Sequence, residues 1–475
     1  MRSLRDTQLL IYPLVVFFVL GLVVQTCKSP GKGDAKPSPT TELSDRALLD
    51  TIQYYTFRYF WDGAEPNSGL ARERLHMDDT YPQDDKHIVT SGGSGFGLMA
   101  ILVGIERGFV SRDDAVERFE QIADFLADAD RFHGAWSHWI HGETGEAKPF
   151  SQYDNGGDIV ETAYLAQGLV AVKQYFRDGN EREQRLSARM DSLWKGVEWD
   201  WYQQGEDVLY WHWSPDYGWK MDHKITGYNE CLITYVLGAS SPTYPIDPAA
   251  YHEGWAGGGD IRSNTEAYGL PLELLHHNAP RGGPLFWAHY SYLGLNPRNL
   301  KDRYADYWRH NRNHVLINRS YCMENPHQFE GYGTACWGLT SSYSIRDYRK
   351  MMEENDSIPD YSGKDPAVGY AGHRPGRDRS VIAPTAALSS FPYVPEECME
   401  VARFFYEELG DRLMGPYGFY DAFSLEYNWF PKKYLAIDQG PIVVMIENYR
   451  SGLLWDLFMA DEDVRNGLER LGFTY

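Results

Sequence analysis

Gly156 to Phe176 reads GGDIVETAYLAQGLVAVKQYF, and the reading of this stretch decides the fold. A small glycine-rich lead is followed by a run that is apolar on nearly all sides. That is the pattern of a helix buried all round, not of one lying on a surface. Five more segments repeat the design: GGSGFGLMAILVGIERG from Gly92, GYNECLITYVLGAS from Gly227, GGPLFWAHYSYLGL from Gly282, APTAALSSFPYV from Ala383 and QGPIVVMIENYRSGLLW from Gln439. Pro284, Pro384 and Pro441 fall where a first helical turn tolerates proline.

Between these dry segments lie charge-rich amphipathic ones, at Glu42–Trp61, Arg112–Ala129, Glu181–Tyr202, Arg298–Ile317 and Pro395–Leu409. Ala115, Phe119, Ile122 and Leu126 show the three-and-four spacing of a helix with one wet face. A sixth such helix, within Thr265–His277, is interrupted by Gly269 and Pro271. Strand signals are short and local, as at Val208–Trp213. Alternating dry and wet helices, about six of each, predict an all-α (α/α)₆ toroid with minor short β-hairpins. A helical solenoid would show a fixed repeat period, whereas the glycine-rich leads recur at uneven intervals. The polar stretch Asn318–Ser380 is too long for a plain connector and is expected to wall a binding cleft.

Length and charge fit one large domain. At about 150 residues per domain, 475 residues suggest roughly three, but a closed double ring spends the same length on one, here 42–475. Forty-three per cent apolar residues supply a core, which excludes general disorder. With 45 Lys+Arg against 67 Asp+Glu the net charge is −22, so a nucleic-acid partner is excluded. Aromatics reach 15%, with 15 Trp, 34 Tyr and 21 Phe. An acidic, aromatic protein suits neutral sugars as partners.

Arg2 and Arg5 precede an apolar run from Leu9 to Val24, the shape of a secretory signal, too short for a helix of about 20 residues to span a membrane. Val24-Gln25-Thr26-Cys27 resembles a lipobox with Cys27 as the lipidated residue, the alternative being an uncleaved N-terminal anchor. Residues 1–26 are therefore expected to be a lipoprotein signal peptide and 27–41 a flexible tether. The expected location is outside the cytoplasm, as a membrane-anchored lipoprotein facing the periplasm or the cell surface. Cys231, Cys322, Cys336 and Cys398 are scattered, with no CxxC; Cys231 reads as a small buried hydrophobe. No HExxH occurs, and His138 and His141 lack a third ligand, so neither a metal nor a cofactor is expected.

Glycine-rich leads let several helix N-termini converge, so polar residues there are the functional candidates. In SQYDNGGDIVET, Asp154 sits in the loop, while Asp158 with Glu161 three residues on has the form of a capping box. In GYNECLI, Glu230 stands in the first turn, where it also compensates the helix dipole. Asp421, Glu426, Asp438 and Glu447 surround the C-terminal leads. Glycoside hydrolysis generally needs a carboxylic acid to protonate the leaving oxygen and a carboxylate base to activate water, about 6.5–9.5 Å apart in inverting enzymes. Trp136, Trp139, Tyr153, Trp211, Trp213, Trp219, Trp337, Tyr420 and Trp429 cluster near these positions and are candidate sugar platforms.

QYDNGGDIVETAYLAQGL, WHWSPDYGWKMDHKITGYNECLITYVLGASSPTYPI, GGPLFWAHYSYLGL and YLAIDQGPIVVMIENYRSGLLW resemble the bacterial glucoamylase-like family, which includes the endo-β-1,2-glucanases of glycoside hydrolase family 144. The resemblance spans about residues 45–473. It implies an (α/α)₆ barrel and endo-cleavage of β-1,2-glucan to sophoro-oligosaccharides with inversion. It carries the acidic pocket residues onto Asp154, Asp158 and Glu230; Asp421 and Asp438 are candidate bases by position. Three readings stay open on the residues: a glycosidase with Glu230 as acid, endo- or exo-acting; a non-catalytic glycan-binding lipoprotein; and a toroidal polysaccharide lyase, which the net charge disfavours because its substrates are anionic.

Overall fold

In the computed structural model, which describes residues 43–81, 85–275, 279–345 and 368–475, helices dominate and every strand is short. The expected signal peptide, the tether and Cys27 lie outside the described residues. Dry and wet helices alternate as the hydropathy requires. Ser91–Glu106 is buried from Ser91 through Gly104, and Ile159–Phe176 from Ile159 through Val172. Leu232–Ser240 is buried at every position. By contrast, Arg112–Asp128 hides a single stripe of Ala115, Val116, Phe119, Ile122, Ala123 and Leu126. Each fully buried aliphatic side chain contributes about 1.5–3 kcal/mol, so the dry helices carry most of the core's stabilisation.

Glycine sets how closely the dry helices approach. Ile159–Phe176 packs against Ser91–Glu106, Leu232–Ser240 and Glu181–Lys195. A Cβ on Gly95 would lie 2.1 Å from the Tyr164 carbonyl oxygen, and one on Gly168 would lie 2.3 Å from the Gly95 carbonyl oxygen. Any side chain at either position would force two backbones apart.

Several expected elements differ from the observed ones, each for a local reason. The helix expected over Arg298–Ile317 runs over Tyr307–Glu324. Asp306 caps it, accepting from Arg309 N at 3.1 Å, and Lys301 is held in bridges to Asp306 and Thr474. Thr265–His277 holds no helix among its described residues; Arg262–Ala267 and Leu270–Leu274 form an antiparallel hairpin. Tyr268 and Gly269 turn it with φ of 55° and 74°. The Gly282 segment makes two 3₁₀ turns, Leu285–Ala288 and Tyr290–Tyr292, separated by His289 at φ −117°. The Ala383 segment holds only Pro384–Leu388, and the Gly227 segment becomes helical at Leu232. The strand expected over Val208–Trp213 shortens to His212–Trp213.

Four small antiparallel assemblies sit beside the dry helices and shape the site. Arg74–His76 pairs with Lys433–Leu435, and Ser341–Ile345 with Val368–Gly372. Trp139–His141 lies between Ile88–Thr90 and Ala147–Lys148. Gly157–Asp158 pairs with His212–Trp213, which sets Asp158 opposite His212.

Candidate active site

A cavity of about 490 Å³ opens among these hairpins and the N-terminal ends of the dry helices, a size typical of small-molecule sites. Trp139, Glu161, Trp211, Glu230, Tyr290 and Tyr343 contribute to its wall, as do Glu73 and Arg74. The Arg74 guanidinium on this wall lies 5.3 Å from the Trp139 ring centroid and 3.2 Å from Asp85 Oδ2, so its charge is already engaged by an aromatic face and an acid.

Asp154 and Asp158 form an ion-paired cluster with His138 and His212. His212 Nε2 is 3.1 Å from Asp154 Oδ2 and 3.4 Å from Asp158 Oδ2, and His138 Nδ1 is 3.2 Å from Asp158 Oδ2. Trp211 Nε1 donates to the same Asp158 oxygen at 3.1 Å. Asp158 Oδ1 accepts from Val160 N at 3.0 Å and Glu161 N at 2.9 Å, capping the helix. Burial alone would raise the Asp158 pKa, but the bonds from His138 and His212 outweigh it and hold this carboxyl well below the usual range. Burial would likewise lower both histidines, yet Glu161 and Asp158 push His138 up to about 10, and Asp154 and Asp158 push His212 up to about 9. His138, Asp154 and Asp158 present donor atoms within 4.8 Å of one another, close enough for a cation. These atoms already satisfy each other through protonated imidazoles and the Trp211 N–H, so the donor set fits an internal ion cluster better than a metal site. A carboxylate this saturated holds no proton to give and no free lone pair to take one; its chemistry is positioning.

Glu161 departs from the capping box suggested by its spacing. Its Oε2 accepts from Gly92 N at 3.1 Å, across to the neighbouring dry helix, and a Cβ on Gly92 would sit 2.2 Å from that oxygen. Burial raises the Glu161 pKa, partly opposed by His138 and reinforced by Asp158. Its place in the cavity wall was hidden from the sequence because the partner donor lies 69 residues earlier. Glu230 stands just ahead of Leu232–Ser240, where Asn229 Oδ1 accepts from Cys231 N at 2.9 Å and fixes the turn. Its backbone carbonyl accepts from the Ser291 hydroxyl, and the residue lines the cavity. Burial pushes Glu230 up to about 7, so the carboxyl keeps its proton to neutral pH.

Asp421 and Asp438 come together although 17 positions separate them in the sequence. Both are buried, and their side chains are in hydrogen-bond contact. Tyr343 N donates to Asp421 Oδ2 at 2.7 Å and the Tyr290 hydroxyl to Asp438 Oδ1 at 3.2 Å. The remaining oxygens, Asp421 Oδ1 and Asp438 Oδ2, find no other donor among the described residues. One proton shared between them satisfies both. Burial raises both acids; contact with Asp438 and the Tyr343 N–H then favour charge on Asp421, whereas Asp421 drives Asp438 higher still. Asp438 therefore holds the proton and Asp421 the charge, next to two tyrosines of the cavity wall.

The candidate aromatics divide. Trp139 and Trp211 line the cavity. Trp136 is fully buried, donating to Leu126 O under the Arg131 guanidinium, and Trp337 is fully buried in the core. Trp429 belongs to a separate small apolar cluster, and Tyr420 packs against Tyr434. None of these four presents a face to a ligand. Tyr153 meets Tyr217 edge-on beneath Lys220, and Trp213 and Trp219 gather round Trp201. Glu447 is bound bidentately by Arg107 and Glu426 accepts from Glu330 N, so both are engaged elsewhere. Cys231, Cys322, Cys336 and Cys398 are buried free thiols.

A proton-holding carboxyl and flat rings around one cavity, with a half-ionised carboxyl pair behind two of its tyrosines, are equipment for acid–base chemistry on a polyol. Residues 222–462 match the model of the family described as "Putative glucoamylase". The endo-β-1,2-glucanase of Chitinophaga pinensis, solved with sophorotriose and glucose, is 56% identical with a TM-score of 0.86, over 91% of this chain and 99% of its own. A structure from Bacteroides caccae with the same description as the family is 55% identical with a TM-score of 0.85, over 91% and 100%. The exo β-1,2-glucooligosaccharide sophorohydrolase (non-reducing end) of Parabacteroides distasonis is 43% identical over 452 residues, 91% of this chain and 58% of that protein. The chain thus spans little more than half the length of that curated relative. It belongs to the glucoamylase-like family.

Proposed function

We propose that the protein is an (α/α)₆-toroid glycoside hydrolase that cleaves β-1,2-glucan internally, with inversion, to sophoro-oligosaccharides. The observation that carries this reading is Glu230: a cavity-wall carboxyl that burial keeps protonated to about pH 7. It acts as the general acid on the leaving glycosidic oxygen. Asp421, charged beside the proton-holding Asp438 and set behind the cavity wall, serves as the base that activates water through Asp438 and the Tyr290 hydroxyl. Trp139 and Trp211 seat glucosyl rings, and the Asp154–Asp158–His138–His212 cluster holds the Trp211 wall in place. Alternating dry and wet helices support the toroid, and the two named β-1,2-glucan enzymes among the relatives support the substrate.

Exo-action from a chain end is the second reading, favoured by the name of the Parabacteroides relative. The N-terminal sequence supports an exported protein with residues 1–26 as signal, 27–41 as tether, Cys27 lipidated and 42–475 as the catalytic domain. The test is incubation with linkage-defined glucans, alongside Glu230→Gln. Internal cleavage of β-1,2-glucan, lost in the variant, supports the reading; release of no reducing ends makes the protein a binder.

A further inference from the structure

A second cleft, of about 470 Å³, lies outside the catalytic cavity and is lined by Glu198, Asp200, Trp201, Gln204, Trp219 and Tyr244. Large aromatics seldom stay wet on a folded surface, yet Trp201 is 40% and Tyr244 39% exposed. The Trp201 ring is held rigidly: His133 stacks on it at 3.6 Å between centroids, and Trp213 meets it edge-on at 6.2 Å. Trp219 lies tilted 6.3 Å away, itself propped by Tyr202 and Tyr210. The polar groups at this cleft are two carboxylates and an amide, with no basic side chain in its lining among the described residues. His133 Nδ1 sits 2.9 Å from Glu198 Oε2 and steadies one of those acids.

Preset rings beside hydrogen-bond acceptors suit a neutral polyol and repel an anion. One short segment of chain borders both the cleft and the catalytic site. Trp211 at its start lines the cavity, and Trp219 at its end lines the cleft. We propose that this cleft is a secondary binding site for glucosyl residues of a β-glucan chain, holding a polymer whose other part occupies the cavity. This inference rests on the β-glucan reading above. It goes beyond it in assigning a place to chain remote from the cleaved bond.

The test separates polymer from oligomer. In a Glu230→Gln background, affinity electrophoresis with β-1,2-glucan polymer in the gel reads retention, and calorimetry with sophorotetraose reads the cavity alone. Trp201→Ala and, separately, Tyr244→Ala are expected to weaken polymer retention about three- to ten-fold, the worth of one ring contact, while leaving sophorotetraose binding unchanged. With Glu230 restored, both variants raise KM on polymer and keep kcat/KM on sophorotetraose. Polymer retention within two-fold of the parent for both variants overturns the inference. So does a shift in oligomeric state of either variant without a change in glucan retention, which would make the cleft a protein contact. If the unsubstituted protein cleaves no β-1,2-glucan, it is the functional reading that fails; cleavage with unchanged retention fails the secondary site alone.

Discussion

His212 faces Asp158 across an antiparallel pair, and its Nε2 reaches Asp158 Oδ2 at 3.4 Å and Asp154 Oδ2 at 3.1 Å. One imidazolium thus joins the helix cap to the loop before it, and His138 completes the cluster from the Trp139 side. Asp158 is thereby tied into the cluster as the helix cap, and Asp154 is joined to it through His212.

That cluster predicts a large stability cost on disruption. Asp158→Ala removes a helix cap and leaves two protonated histidines, His212 buried and His138 on the cavity wall, with half their countercharge. The expected loss is about 3–5 kcal/mol, read as a lower midpoint in denaturant. A change below about 1 kcal/mol, within the range of a surface substitution, would mean the cluster is not charged as described.

The same cluster sets a pH dependence. His138 and His212 are raised to about 10 and about 9 in the folded chain, against about 6.5 unfolded. Groups raised on folding stabilise fully below the unfolded value and lose that contribution as pH climbs through the folded ones. Thermal midpoints should therefore fall between about pH 7 and 10. In Asp158→Asn that fall should be smaller and end at lower pH.

Activity should show a different alkaline limb. Glu230 is raised to about 7, so the fraction carrying the catalytic proton declines above that pH. The kcat/KM profile should bend down near neutrality, and Glu230→Gln should lower kcat about a hundred- to ten-thousand-fold and flatten that limb. A limb unchanged in a residually active Glu230→Gln would assign the acid elsewhere.

Asp438→Asn probes the carboxyl pair. Replacing the proton-holding partner with an amide exchanges the carboxyl O–H that favours charge on Asp421 for a weaker N–H donor. The Asp421 pKa then rises, and the acidic limb of the profile moves to higher pH while the alkaline limb stays. An acidic limb that stays in place would uncouple Asp421 from the rate.

Packing of the dry helices makes a prediction free of the chemistry. Gly95→Ala puts a methyl 2.1 Å from the Tyr164 carbonyl oxygen. Separation of the two helices should cost at least about 1–3 kcal/mol, whereas Gly108→Ala meets nothing within 4 Å and pays only for its left-handed φ of 69°.

Features written in one stretch of chain were legible in the sequence. The buried runs from Gly92 and Gly156, the amphipathic stripe Ala115–Leu126 and the Asp158 cap each depend on neighbours within a few residues. The place of Glu230 at the lead of a buried helix was legible too, because Gly227 and Asn229 precede it and the apolar run follows. What escaped depends on distant partners. Glu161 turns to Gly92, His212 to Asp158 through strand pairing, and Asp421 to Asp438 through a fold-back. The helix at Tyr307–Glu324 was displaced because the Lys301 bridge to Thr474, at the far end of the chain, holds the preceding segment extended. Aromatic density alone did not separate Trp139 and Trp211 from the buried Trp136 and Trp337.

The central claim is most directly tested by digesting β-1,2-glucan polymer and resolving early products by size and anomer, with Glu230→Gln in parallel. Sophoro-oligosaccharides of mixed length carrying the α-anomer at their new reducing ends, absent with the variant, are the predicted result. Newly formed β-anomer, or products made equally by Glu230→Gln, would contradict it.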